Sequence, residues 1–153
     1  MADEFLSVRG YEQLESVGAA LKAAGAGGLR RELLRRIRSS GRRATIAAER
    51  GALEMLPKGG GLAAVVAASR FTTRTRLSGG GVGVRIVATD PHDIKAIDAG
   101  TVRHPVYGNR RKWVAQGVTP GWFTKSTERV RRPVQIEITQ AVKDIARRVE
   151  GSA

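Results

Sequence analysis

The chain has 153 residues, 41% of them hydrophobic, which suits a single domain with a core of its own. It has no cysteine, which excludes disulfide scaffolds, thiol nucleophiles and thiolate metal sites. The 27 Lys and Arg against 14 Asp and Glu give a net charge of +13, a balance that favours polyanions or acidic proteins as partners.

Much of the apolar content is Ala and Val, and Gly numbers 19. Large core side chains are scarce, so a modestly stable monomer is expected, with further burial supplied by neighbours. The longest apolar run, Leu62–Ala68, is far short of a membrane span. The segment Met1–Glu4 is acidic and lacks the basic-then-apolar pattern of a signal. A soluble protein that is neither exported nor membrane-bound is expected.

In chain order, Tyr11–Ala24 carries Leu14, Val17 and Ala20 or Leu21 at helical spacing. Gly25–Gly28 ends that helix. Leu29–Leu56 predicts a long amphipathic helix: Leu33, Ile37, Ser40/Gly41, Ala44, Ala48, Gly51 and Met55 share one face. Arg31, Arg35, Arg38 and Arg42 form a ridge on the opposite face. Gly41 and Gly51 each cost about 1 kcal/mol of helix propensity relative to Ala, which a closely packed partner would explain. Pro57 and Gly59–Gly61 stop the helix and act as a connector.

A short helix is predicted over Leu62–Ser69. Arg70–Leu77 then alternates, with Phe71, Thr73, Thr75 and Leu77 on one side and Arg70, Thr72, Arg74 and Arg76 on the other. Val82–Ala88 alternates too, so the two runs predict a β-hairpin turning at Ser78–Gly81, one face apolar and the other cationic through Arg70, Arg74, Arg76 and Arg85. A third strand is expected within Ile94–Arg103. Gly100–Phe123 reads as an irregular aromatic loop. Phe123–Val149 predicts a final helix, broken or restarted at Pro133, with a stripe of Val134, Ile138, Ala141, Val142, Ile145 and Val149.

These elements predict an α+β fold, long helices packed on one face of a small antiparallel sheet that includes the hairpin. The chain reads as a single domain over residues 1–153, with 1–8 and 150–153 as flexible ends.

Catalytic and cofactor patterns are weak. Asp90, His92 and Asp93 could be imagined around a metal, yet Asp beside Pro91 more often makes turns. Gly79–Gly83 lies in a hairpin and lacks the third glycine of a dinucleotide loop. Lys58–Gly61 has no Walker pattern. No enzyme activity, metal or cofactor is expected. The cationic groups are the stronger signal: the Arg31/Arg35/Arg38/Arg42 ridge, the hairpin face, and Arg103, Arg110, Arg111 and Lys112 in the loop. They need only charge and reach to touch phosphates or acidic proteins, and no base-reading motif accompanies them. A non-sequence-specific nucleic-acid-binding protein is therefore one candidate function.

Gly100–Phe123 holds both tryptophans and four cations without an acid, in a chain only 5% aromatic. Such a segment either docks on a partner or pins a loop to the core. The phrase Gly100-Thr101-Val102-Arg103-His104-Pro105-Val106-Tyr107-Gly108-Asn109, with Trp113-Val114-Ala115-Gln116 and Pro120-Gly121-Trp122-Phe123, resembles tail-completion and head–tail joining proteins of long-tailed, siphovirus-type phages. The order of helices over roughly residues 8–150 resembles theirs as well. That resemblance implies a structural virion protein of the neck, made in the host bacterial cytoplasm, with no catalytic residue. It implies a ring, commonly six-fold, around the DNA exit channel, touching connector, terminator or tail-tube proteins. Tail completion, terminator and stopper roles stay open. The expected partner interface is His104, Pro105, Tyr107, Trp113, Gln116, Trp122 and Phe123. Arg31, Arg35, Arg38, Arg42, Arg70, Arg74, Arg76, Arg110, Arg111 and Lys112 are candidates for contact with DNA or an acidic neighbour.

Overall fold

The computed structural model describes residues 2–8, 12–77, 83–89 and 93–151. Its elements are β1 (Ala2–Val8), α1 (Glu12–Ala23), α2 (Gly27–Met55), a 3-10 turn (Gly59–Gly61), α3 (Leu62–Ala67), β2 (Arg70–Arg76), β3 (Gly83–Thr89), α4 (Ile94–Asp98), β4 (Thr101–Val106), β5 (Asn109–Gly117) and α5 (Trp122–Glu150). The fold is α+β, and the long helices pack against an antiparallel sheet of order β1-β3-β2. A separate antiparallel ribbon is formed by β4 and β5.

The helix stripes of the sequence become two adjoining cores. In the first, Leu14, Val17 and Leu21 of α1 meet Leu33 and Ile37 of α2, together with Ile138, Val142 and Ile145 of α5. In the second, Ala44, Ala48 and Ala52 of α2 meet Val66, Ile86, Ile97, Trp122 and Phe123. The small residues in the middle of α2 let other backbones close in. A Cβ on Gly51 would strike the Ser126 side chain and lie 2.7 Å from the Trp122 carbonyl oxygen. One on Gly41 would strike Thr73 of β2. Thus α2 touches α5 on one side and the sheet on the other, each through a glycine. Phe71, Trp122 and Phe123 form an aromatic cluster with ring centroids 5.6–6.4 Å apart, a geometry that adds stabilisation beyond area alone.

Several expectations change. Residues 2–8 form β1, an edge strand paired with β3, where a flexible end was expected. This strand is the third member of the sheet; of Ile94–Arg103, where a third strand was expected, Thr101–Arg103 is extended, but as the start of β4 in the separate ribbon. Ile94–Asp98 is a helical turn whose Asp93 carboxylate accepts the Ala96 N–H at 2.9 Å. Gly100–Phe123 is mostly the β4–β5 ribbon. Pro133 does not interrupt the last helix, which runs unbroken from Trp122 to Glu150. Pro133 is exposed, so the carbonyl it leaves unpaired can face water, while both cores anchor the helix on either side of it. Gly151 is a turn residue, and 152–153 lie outside the described residues. So do the Ser78–Gly81 turn and the Asp90 and His92 of the imagined metal site. Among the described residues no group of three metal-binding side chains gathers, and no helix is long and apolar enough to cross a membrane.

The glycine contact yields a prediction opposite in sign to helix propensity. Propensity alone would make Gly51→Ala more stable by about 1 kcal/mol. The collision with Ser126 and the Trp122 carbonyl should instead give a net loss of about 1–3 kcal/mol in urea unfolding. Gly28→Ala is the control, because a Cβ there meets nothing within 4 Å, and it should be neutral or stabilising.

Candidate functional site

The β4–β5 ribbon projects from the body as an arm. Its root is tightly tied. The Asp98 carboxylate accepts the backbone N–H of Phe123 at 2.8 Å and of Thr124 at 3.3 Å, and the Thr124 hydroxyl donates to it as well. It thereby caps α5, whose own first-turn neighbour, Gly121, has no side chain to do so. The Gly121 N–H donates to the Asp98 carbonyl at 2.7 Å, and the Val118 N–H to the Gly100 carbonyl at 2.9 Å. Both ends of the arm are thus clamped where α4 meets α5.

Beyond the root the support is one-sided, with His104, Pro105 and Val106 of β4 half-buried. Every residue of β5 is exposed. The pairing runs Thr101↔Gly117 to Pro105↔Trp113 and then jumps to Val106↔Asn109. Arg110, Arg111 and Lys112 are therefore extra residues that bulge from β5 with no partners on β4. Two bonds pin the bulge: the Arg111 N–H donates to the Asn109 side-chain oxygen at 3.0 Å, and the Trp113 indole N–H donates to the Arg110 carbonyl at 2.8 Å. The tip turns at Tyr107 and Gly108, with φ of 47° and 75°, the doubly positive φ signature of a tight hairpin. Tyr107 is fully exposed there and Trp113 is 50% exposed.

Between arm and body runs an open groove of about 910 Å³. Its floor includes Leu62, Ile97, Val102 and Val118, and its rim includes Arg103, Arg110 and Trp113. The acid among its lining residues, Asp93, is already occupied in capping α4. Of the residues expected at a partner interface, His104, Pro105, Trp113 and Gln116 all line this groove, and Tyr107 stands at the tip. Trp122 and Phe123 do not join them. Both are 0% exposed within the second core, so no surface is left for a partner to touch, and the expectation of an interface role fails for these two.

The expected cationic groups sit on separate elements. Arg31, Arg35, Arg38 and Arg42 are exposed along the outer face of α2. Arg129, Arg132, Lys143 and Arg147 are exposed on α5. Between the two antiparallel helices, Arg148–Glu32 (2.6 Å), Arg36–Asp144 (2.9 Å) and Arg43–Glu137 (2.9 Å) form a ladder. The ladder uses the acids of the seam, and none of the four ridge arginines makes an ion pair among the described residues. Arg70, Arg74 and Arg76 are exposed on β2, and Arg74 lies directly opposite Arg85 of β3. Like charges facing each other across a sheet are unfavourable unless compensated.

Four aliphatics were not anticipated as surface features. Ile46 and Leu53 of α2, Ile136 of α5 and Val65 of α3 are exposed at 44–60%. Their off-face positions were visible for α2 and α5, since Ile46, Leu53 and Ile136 fall outside the apolar stripes. The chain matches no family model, no curated protein and no solved structure.

Two outcomes are expected. Trp122→Ala should cost about 3–5 kcal/mol of stability, whereas Trp113→Ala should stay within about 0.5 kcal/mol in the isolated chain, both read by chemical denaturation. In the seam, the hydrogen bond from Arg36 and then that from Gln140 hold the Asp144 carboxyl below the usual carboxylate range, outweighing burial, which pushes it up; the charges of Arg36 and Arg147 act in the same lowering direction. A lowered folded-state value means the contact helps above the ordinary carboxylate range and is lost as pH falls through the folded value. Arg36→Met should therefore raise the Asp144 titration midpoint in a carboxyl NMR titration and shrink the stability lost on acidification.

Proposed function

We propose that this chain is a non-enzymatic structural component of a long-tailed phage neck, one copy of a ring at the head–tail junction. The observation that carries this is the arm. The residues whose order resembles the neck proteins build a clamped ribbon with an exposed Trp113, a fully exposed Tyr107 and a bulge of three cations. A two-stranded ribbon is at best marginal alone in water, and large aromatics left exposed beside cations are what partner surfaces use. Connector, terminator or tail-tube proteins, together with other copies of this chain, are the partners such an arm would serve. The virion neck is the corresponding location.

The outer faces of α2 and α5 favour a second reading, non-specific contact with nucleic acid. The α2 ridge from Arg31 to Arg42 spans about 16 Å of helix, and the seam acids that could neutralise it are engaged elsewhere. Such a surface meets phosphates without reading bases. In a neck, this would let DNA pass without being gripped in one register.

A phage deleted for the gene tests the neck role. Electron micrographs should show filled heads and separate tails, with joined particles restored by the wild-type gene supplied in trans. Normal joined particles from the deletion would refute it. DNA binding followed against salt tests the second reading: replacing Arg31, Arg35, Arg38 and Arg42 together should flatten the slope of log K on log salt by about 3–4.

A further inference from the structure

Among the described residues, the large apolar side chains left exposed fall into two sets. Val65, Tyr107, Trp113 and Val114 belong to the arm and its groove; Ile46, Leu53 and Ile136 belong to α2 and α5. None of the second set lines the groove. One set is concave and the other convex. The groove is a trough with an aliphatic floor, whereas Ile46, Glu49 and Leu53 stand at i, i+3 and i+7 on one side of a helix, about 10 Å from first to last. That spacing is how an amphipathic helix fills an apolar groove.

Charge completes the match. The groove rim carries Arg103 and Arg110, neither ion-paired among the described residues, and its Asp93 is committed to capping α4. The stripe carries Glu49 between its two aliphatics, with Glu54 following Leu53, and Glu49 likewise makes no ion pair among the described residues. The arginine ridge ends at Arg42, one turn before Ile46; beyond it the outer α2 face carries Ile46, Glu49, Leu53 and Glu54 with one exposed cation, Arg50, beside them.

We propose that copies of this chain associate head to tail, the Ile46, Glu49 and Leu53 stripe of one copy seating in the arm–body groove of the next. Two different surfaces meet, so each copy keeps an unused stripe or groove and the contact propagates until rotation closes it. The surfaces follow from exposure, shape and charge alone, so the contact stands or falls separately from the neck role.

Complementation between two blocked variants tests it. Val65→Glu places an acid on the groove wall and leaves the stripe intact. Leu53→Lys reverses the stripe and leaves the groove intact. Val65 is 44% exposed and Leu53 49%, so both variants should keep the wild-type circular dichroism and melting temperature. Gly59→Glu is a second groove variant, because a Cβ on this groove-lining glycine meets nothing within 4 Å. Sedimentation velocity should show the wild type associating and each variant alone weakened by about 30-fold or more, the scale of a lost hot spot. An equimolar mixture of Val65→Glu and Leu53→Lys should form species of two or more chains at concentrations where neither variant associates alone. A wild type that stays a single chain at the highest soluble concentration overturns the proposal, as does a mixture in which the two variants ignore each other.

Discussion

The structure depends on how closely α5 approaches α2. Gly51 removes the side chain that would hold the helices apart, and the start of α5 settles into that space, with the Ser126 side chain and the Trp122 carbonyl against α2. Trp122 and Phe123 are thereby driven under the sheet, where they meet Phe71 and finish the second core. Further along, the Glu32–Arg148, Arg36–Asp144 and Arg43–Glu137 contacts keep the two helices in one register. Each exposed pair contributes only about 0.2–1 kcal/mol. Their larger consequence is electrostatic, because they consume the seam acids and leave the four ridge arginines of α2 without an ion pair among the described residues.

The same approach determines where the arm can go. With the first turn of α5 fixed against α2, Asp98 reaches its N–H groups and ties the end of α4 to the start of α5. The intervening chain is then a closed loop with a rigid root, and β4 and β5 pair with each other because no strand of the main sheet is alongside them. The arm is polar enough to stand in water but carries more exposed aromatic surface than its own fold uses. Its groove inherits an aliphatic floor from α3, α4 and the ribbon root, and a cationic rim from the arm.

Elements with one buried face were legible in the sequence. The stripe from Leu33 to Met55, the ridge of arginines behind it and the stripe from Val134 to Ile145 each announced a helix, and the alternation from Arg70 to Ala88 announced the hairpin. The arm was not legible as a ribbon, because β5 is exposed along its whole length and so shows no apolar alternation; Pro105 and the three-residue bulge obscure it further. The strand β1 was hidden by Asp3 and Glu4, residues that strands disfavour. Pro133 signalled a break that the two flanking cores override. At the site, the sequence drew attention to the segment of Trp113 and Trp122 alike, but local pattern could not say which indole the body claims. That depends on Gly51, seventy-one positions before Trp122. Asp98 as the cap of α5 was equally invisible, since its partners are reached only through the fold.

Amide hydrogen exchange on the isolated chain tests most directly whether the body is complete while the arm awaits a partner. Slow exchange is expected for the α2 and α5 amides that face the two cores, and at the Asp98–Phe123 root. The cross-strand amides from Val102 to Gln116 should exchange orders of magnitude faster, and should slow only when the chain associates. Arm amides as protected as those of α2 and α5 in the lone chain would contradict the account.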